Sequence, residues 1–121
     1  MDFNLTKEQI DIQKAAAEFA GGEFDPDRIL EWDRKQEFPV TVWKKACSLG
    51  FIGPHFPEVY GGQGLEFLDQ ALILEAFCRR DSGVGIALGL SDFGSEMVLR
   101  HGKDAQKTEV LPALARGTDL S

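Results

Sequence analysis

The stretch FPEVYGGQGLEF, residues 56–67, places Gly61, Gly62 and Gly64 within four positions. How it is read decides the fold. A phosphate-cradling P-loop needs Gly-x-x-x-x-Gly-Lys-Ser/Thr, whereas Leu65 follows Gly64 here. A dinucleotide fingerprint needs Gly-x-Gly-x-x-Gly after a strand. Gly62-Gln63-Gly64 supplies only the first half, and Phe67 stands where the third glycine belongs. The residues before it show no alternation of apolar and polar side chains, so no strand leads in. The glycines therefore read as a backbone reversal between helices, where positive φ is tolerated cheaply.

Helical periodicity extends from this bend in both directions. Upstream, Thr6 followed by Gln9 fits a capping box, and Leu5, Ile12, Ala16 and Phe19 share one helical face. Gly21-Gly22 reads as the stop of that helix. Asp25-Pro26 gives an N-cap and a proline at the first helical position of a short helix carrying Ile29, Leu30 and Trp32. Phe38-Pro39 repeats the start signal for a helix with Val42, Trp43, Ala46 and Leu49 on its apolar stripe and Gly50 as its stop. Residues 50–64, with five glycines and two prolines, form a long irregular connection. Downstream, Phe67, Leu68, Ala71, Leu72, Leu74 and Phe77 predict a long helix ending near Arg80. Asp81 or Ser82 caps the next, which is expected to run continuously over 82–101. Lys103-Asp104 opens a last helix that Pro112 is expected to interrupt. The expectation is an all-α fold of five to six packed helices in an orthogonal/antiparallel arrangement.

Composition narrows the function. The chain has 121 residues, 43% of them hydrophobic and 27% charged, in keeping with one globular domain over 1–121. Its net charge of -7 argues against nucleic acid, which would require a basic stripe, and the densest basic spots are the pairs Lys44-Lys45 and Arg79-Arg80. No run approaches the roughly 20 apolar residues of a membrane span. Met1-Asp2-Phe3-Asn4 lacks the features of a secretory leader, so a cytoplasmic location is expected. Cys47 and Cys78 read as free thiols of a reducing compartment, with a disulfide as the alternative. His55 and His101 are isolated, and no zinc spacing is present. The carboxylate pairs Asp25/Asp27 and Glu66/Asp69 read as helix-capping and solvated groups. No nucleophile elbow or Cys-x-x-Cys occurs, so no catalytic residue and no metal ligand is named.

The 82–101 segment is unusual. It opens Ser82-Gly-Val-Gly-Ile-Ala-Leu-Gly-Leu90, and each glycine inside a helix costs about 0.5–1 kcal/mol relative to alanine. Gly85 and Gly89 share a face. The groove they leave admits either a close helix neighbour or a ligand, and the apolar residues that would line it are Val84, Ile86, Leu88 and Phe93.

The order and spacing of these pieces resemble the N-terminal helical domain of the flavin-dependent acyl-CoA dehydrogenase family. The most specific match is Leu49-Gly50-Phe51-Ile52-Gly53 followed by Phe56-Pro57-Glu58-Val59-Tyr60-Gly61-Gly62-Gln63-Gly64. Phe3, Leu5, Thr6 and Gln9 resemble the family's opening, Glu37-Phe38-Pro39 its third-helix start, and Asp81-Ser82-Gly83 the junction before its fifth helix. Gly102-Lys103-Asp104-Ala105-Gln106-Lys107 and Leu111-Pro112-Ala113-Leu114-Ala115-Arg116-Gly117 resemble the close of the domain. The resemblance spans essentially the whole chain.

It implies a parent enzyme that uses FAD to desaturate an acyl-CoA thioester between its α and β carbons and passes the electrons to an acceptor. It also implies a β domain and a C-terminal helical bundle absent from this chain, with the catalytic base and flavin site there. The parent would be a homo-oligomer. By the same resemblance this chain supplies scaffold and one wall of the acyl pocket, with Val84, Gly85, Ile86, Leu88, Gly89 and Phe93 as candidates. Alone it would be inactive and bind FAD negligibly. Two alternatives stand beside this: a free-standing helical interaction module, and a related flavin enzyme such as an acyl-CoA oxidase.

Overall fold

A computed structural model describes residues 2–118 and shows seven α-helices, no strand and one short 3₁₀ turn among them. The helices are α1 (Lys7–Glu23), α2 (Pro26–Lys35), α3 (Val40–Ser48), α4 (Phe67–Arg80), α5 (Ser82–Gly89), α6 (Ser95–His101) and α7 (Asp104–Arg116), with the 3₁₀ turn at Glu58–Tyr60. The expected boundary at Ser121 lies outside the described residues.

Local chemistry sets most of the ends. Thr6 Oγ1 accepts from Gln9 N–H, while Gln9 Oε1 accepts from Thr6 N–H, so the capping box forms as its residues predict. Asp25 accepts from the Arg28 amide, and Pro26 occupies the first turn. Asp69 plays the reciprocal part at α4, accepting from the Glu66 N–H at 2.9 Å. Asp81 Oδ1 caps α5 by accepting from Val84 N–H at 2.9 Å.

Three expectations are corrected. First, α1 runs through Gly21-Gly22 and ends only at Phe24, whose N–H bonds to the Ala20 carbonyl. Neither glycine takes positive φ; the stop comes from Phe24, which is 1% exposed and locked into the core. Second, the continuous helix expected over 82–101 divides into α5 and α6, and this raises the helix count to seven. Its amides shift from i−4 to i−3 partners at Ser91, Phe93 and Ser95. Asp92 is drawn inward there and accepts a backbone hydrogen bond from Gly53. Third, Pro112 does not interrupt α7. Only one amide bond is lost to it, and buried Leu111 and Leu114 anchor the helix on either side.

Two apolar clusters hold these elements. In the larger, α1 packs on α4 and α4 on α5. Its centre is four aromatic rings, Phe19, Phe24, Phe51 and Phe77, with centroids 5.3 to 6.2 Å apart. In the smaller, Phe56 lies against Leu111, Leu114 and Ala115 of α7. Leu49, placed by periodicity on the α3 stripe, falls beyond the helix and is 60% exposed; Cys47 takes its place inside.

Candidate functional site

The connection at 50–64 answers the question its glycines raise. The amides of Tyr60, Gly61, Gly62, Gln63, Gly64 and Leu65 all bond to carbonyls between Pro54 and Glu58. A phosphate cradle needs such amides free and pointing at the ligand. These are spent inside the loop, so the loop does not fit the pyrophosphate of a flavin dinucleotide. Gly62 is required by close approach, because a β-carbon there would fall on the Phe56 carbonyl oxygen.

The six candidate residues on α5 and after it divide between two faces. Val84, Gly85 and Leu88 point inward and are buried. A β-carbon at Gly85 would stand 2.8 Å from both the backbone nitrogen and Sγ of Cys78, so at this position α4 and α5 meet backbone to backbone. Gly89 differs in kind. Its β-carbon would first meet the side chain of Leu74, which has other rotamers, with the tip Cδ1 at 2.5 Å. Beside it lies a cavity of about 30 Å³ bordered by Phe51, Leu74, Leu88 and Asp92, room for about one water and not for an acyl chain.

The other two candidates, Ile86 and Phe93, are 50% and 77% exposed. They belong to a longer series that sequence reasoning left incomplete: Leu90 is 51% and Met97 67% exposed. Positions 86, 90, 93 and 97 have helical spacing in the sequence, which was the signal for the missing two, although the structure spreads them over α5, the turn after it and α6. Four large apolar side chains in solvent mark a surface for contact with other apolar matter.

Burial perturbs several titratable groups around α5 and α6 and on α3. Asp92 is 6% exposed, and burial pushes its carboxyl up to about 6 against hydrogen bonds from Gly53 and its own amide that lower it. Burial also pushes the Cys47 thiol up to about 11 and raises that of Cys78, so neither is a ready thiolate nucleophile. Both cysteines are free. Two open clefts lie elsewhere. One, of about 400 Å³, has Trp32, Phe38 and Val84 in its walls; the other, of about 630 Å³, has Ile12, Phe19, Leu65 and Ile73. Among the described residues no group of three or more His, Cys, Asp or Glu could hold a metal, and no helix is long and apolar enough to cross a membrane.

Asp92 has a measurable consequence. Its folded-state value lies above its unfolded value of 3.8, so its contribution to stability is fully present below that value and is lost as pH rises through about 6. Asp92→Asn keeps an acceptor for Gly53 without the buried charge. We expect the variant to be more stable than the parent by about 2 kcal/mol at pH 8 and equal to it near pH 4. Urea melts at the two pH values check this; a constant difference would count against the titration of Asp92.

The acyl-CoA dehydrogenase N-terminal domain family matches residues 6–118. The chain belongs to this family. Acryloyl-CoA reductase (NADH) of Anaerotignum propionicum is 31% identical over 120 residues, covering 99% of this chain and 30% of that protein. The butyryl-CoA dehydrogenase of Megasphaera elsdenii superimposes with a TM-score of 0.86 at 34% identity, over 99% of this chain and 32% of its own. An acyl-CoA dehydrogenase from Bacillus anthracis, solved with FAD, gives 0.85 at 35% identity, over 98% and 21%. This acyl-CoA dehydrogenase N-terminal domain thus spans between about a fifth and a third of the length of these relatives.

Proposed function

We propose that this chain is the helical scaffold, and one wall of the acyl pocket, of an FAD-dependent enzyme that desaturates acyl-CoA thioesters between the α and β carbons. The supporting observation is the family match over residues 6–118 together with the same helical fold in relatives of that chemistry. The wall is α5 and the turn after it. Ile86 and Phe93, continued by Leu90 and by Met97 on α6, offer the exposed apolar face; Val84, Gly85 and Leu88 back it against α4; Gly89 faces Leu74 across a space of water size.

FAD would supply hydride acceptance at the β carbon. The residues described here do not fit it: the glycine-rich amides are spent within their own loop. By the family resemblance, the flavin and the catalytic base would belong to the β domain and helical bundle of the parent. That parent would be a homo-oligomer, and the two free thiols suit the reducing cytoplasm.

The test uses the whole protein encoded with this domain. Acyl-CoA substrates of graded length should bleach the bound flavin anaerobically, and no reduction by any of them would overturn the reading. The likeness to a reductase makes the reverse assay, with an enoyl-CoA and a reduced electron donor, part of the same experiment. Ile86→Ala, which removes apolar contact from the exposed face, should penalise the longest good substrate most, raising its KM about tenfold, as expected when roughly 1.4 kcal/mol of apolar contact is lost. An unchanged chain-length profile would remove Ile86 from the wall.

A further inference from the structure

The side chain of His55 is 5% exposed, within the glycine- and proline-rich connection at 50–64. Its ring lies 4.9 Å from that of Phe56 and 5.1 Å from that of Phe67, centroid to centroid. Nδ1 is buried and, among the described residues, has no hydrogen-bond partner. Nε2 stands 3.7 Å from Glu96 Oε2, beyond hydrogen-bond reach, and that oxygen is itself buried without a partner. Glu96 Oε1 is already held by Arg100 Nε, and the Arg100 guanidinium covers the Phe67 ring at 5.8 Å.

We propose that His55 is an acid-released plug, which seats the glycine-rich connection between α4 and α6 when neutral and leaves its slot when protonated. A neutral imidazole carries one N–H and one lone pair and can sit between two phenyl rings. An imidazolium carries two N–H donors and needs two acceptors. Only Glu96 Oε2 is within range, and it faces Nε2, so the second donor, on Nδ1, would be an orphan in an apolar slot. The groups around the ring offer no other solution. Glu96 and Arg100 face it from α6, and Glu66 borders the same cavity at the start of α4 but outside the ring's reach as a partner. Asp92 lies behind Glu96, and the neighbours that α7 presents to Phe56 are apolar Leu111 and Leu114. Burial lowers the proton affinity of His55 more than Glu96 raises it, which agrees in sign. A ring that is neutral inside and ordinary outside is stabilising above its unfolded value and loses that contribution as pH falls.

Release would open the cavity of about 410 Å³ bordered by His55, Leu65, Phe67 and Leu99, and free the 53–60 segment from α6. The readout is amide exchange in the 121-residue chain, corrected for intrinsic pH dependence, with His55 followed by its imidazole ¹⁵N shifts. Between pH 7.5 and 5.5, protection over 53–60 and α6 should fall at least fivefold, with a midpoint matching that of His55 and below 6.5. His55→Phe, which fills the slot with an untitratable ring, should abolish the change. Glu96→Gln, which leaves the neutral plug seated, should lower the His55 midpoint and carry the release with it. Asp92→Asn, which removes the other group titrating in this window, should leave the release in place. Protection independent of pH, persistence of the effect in His55→Phe, a His55 midpoint unmoved by Glu96→Gln, or loss of the effect in Asp92→Asn would each overturn the proposal. None of these readouts involves acyl-CoA chemistry, so the outcome stands apart from that of the proposed function.

Discussion

Phe77→Ala is expected to lower the folding free energy by about 4 kcal/mol, the larger end of what a single core truncation does. Phe77 is 1% exposed and touches three rings at once: Phe19 at 5.5 Å, Phe24 at 5.6 Å and Phe51 at 5.5 Å. Those rings come from α1, the residue that ends α1, and the start of the glycine-rich connection. Removing the hub leaves a cavity bordered by α1 with its C-cap and by the start of the connection, and neither can close it without dragging its own backbone. Edge-on and tilted ring pairs add about 0.5–1.5 kcal/mol each beyond area burial. Total stability of a domain this size is about 5–15 kcal/mol, so the loss is a large share of it. A thermal melt should show a midpoint more than about 10 °C lower. A denaturant-derived loss below about 1 kcal/mol would mean that the four-ring cluster is not the mechanical centre of the fold.

The second large effect runs against helix propensity. Gly85→Ala would gain up to about 1 kcal/mol from propensity if the site were open. Here the added methyl meets the Cys78 backbone, which cannot rotate away, so α4 and α5 must separate along their whole contact. We expect a net loss of about 2 kcal/mol. Gly89→Ala is the control: its methyl meets Leu74 Cδ1, a side chain with other rotamers, and the net change should stay within about 1 kcal/mol. The pair of urea melts therefore separates a packing glycine from an accommodating one. Equal effects at the two positions would contradict the geometry, and a stabilised Gly85→Ala would show that the helices stand further apart than described.

This contrast also marks how far the site was legible. The sequence identified α5 as unusual and placed Gly85 and Gly89 on one face, because helical spacing alone does that. It could not say that one glycine faces a backbone and the other a leucine tip, since that depends on where α4 crosses. Ile86 and Phe93 were picked out for their chemistry, yet they lie on the solvent side, away from Val84 and Leu88. Which face of a short, apolar, glycine-rich helix is buried cannot be read from its pattern: with hydrophobic residues on every side, periodicity carries no direction.

What the sequence determined by itself was local. Thr6 with Gln9, Asp25 with Pro26, and Asp81 ahead of Ser82 fixed where helices begin, because each supplies its own hydrogen bonds within three or four residues. The glycine bend was readable as a bend, since a missing lysine and a missing strand exclude a phosphate cradle. What only tertiary structure decided was where helices stop or break. Gly21-Gly22 had the stop signal, but Phe24 sinking into the core set the end of α1. Pro112 had the break signal, but Leu111 and Leu114 held α7 through it. Residues 82–101 had an unbroken pattern, but Asp92 reaching the Gly53 amide tightened the turn and split it. A local preference is worth about 1 kcal/mol. Burying an aromatic ring, or satisfying a buried carboxylate from across the fold, is worth more, and at those places the distant partner prevails.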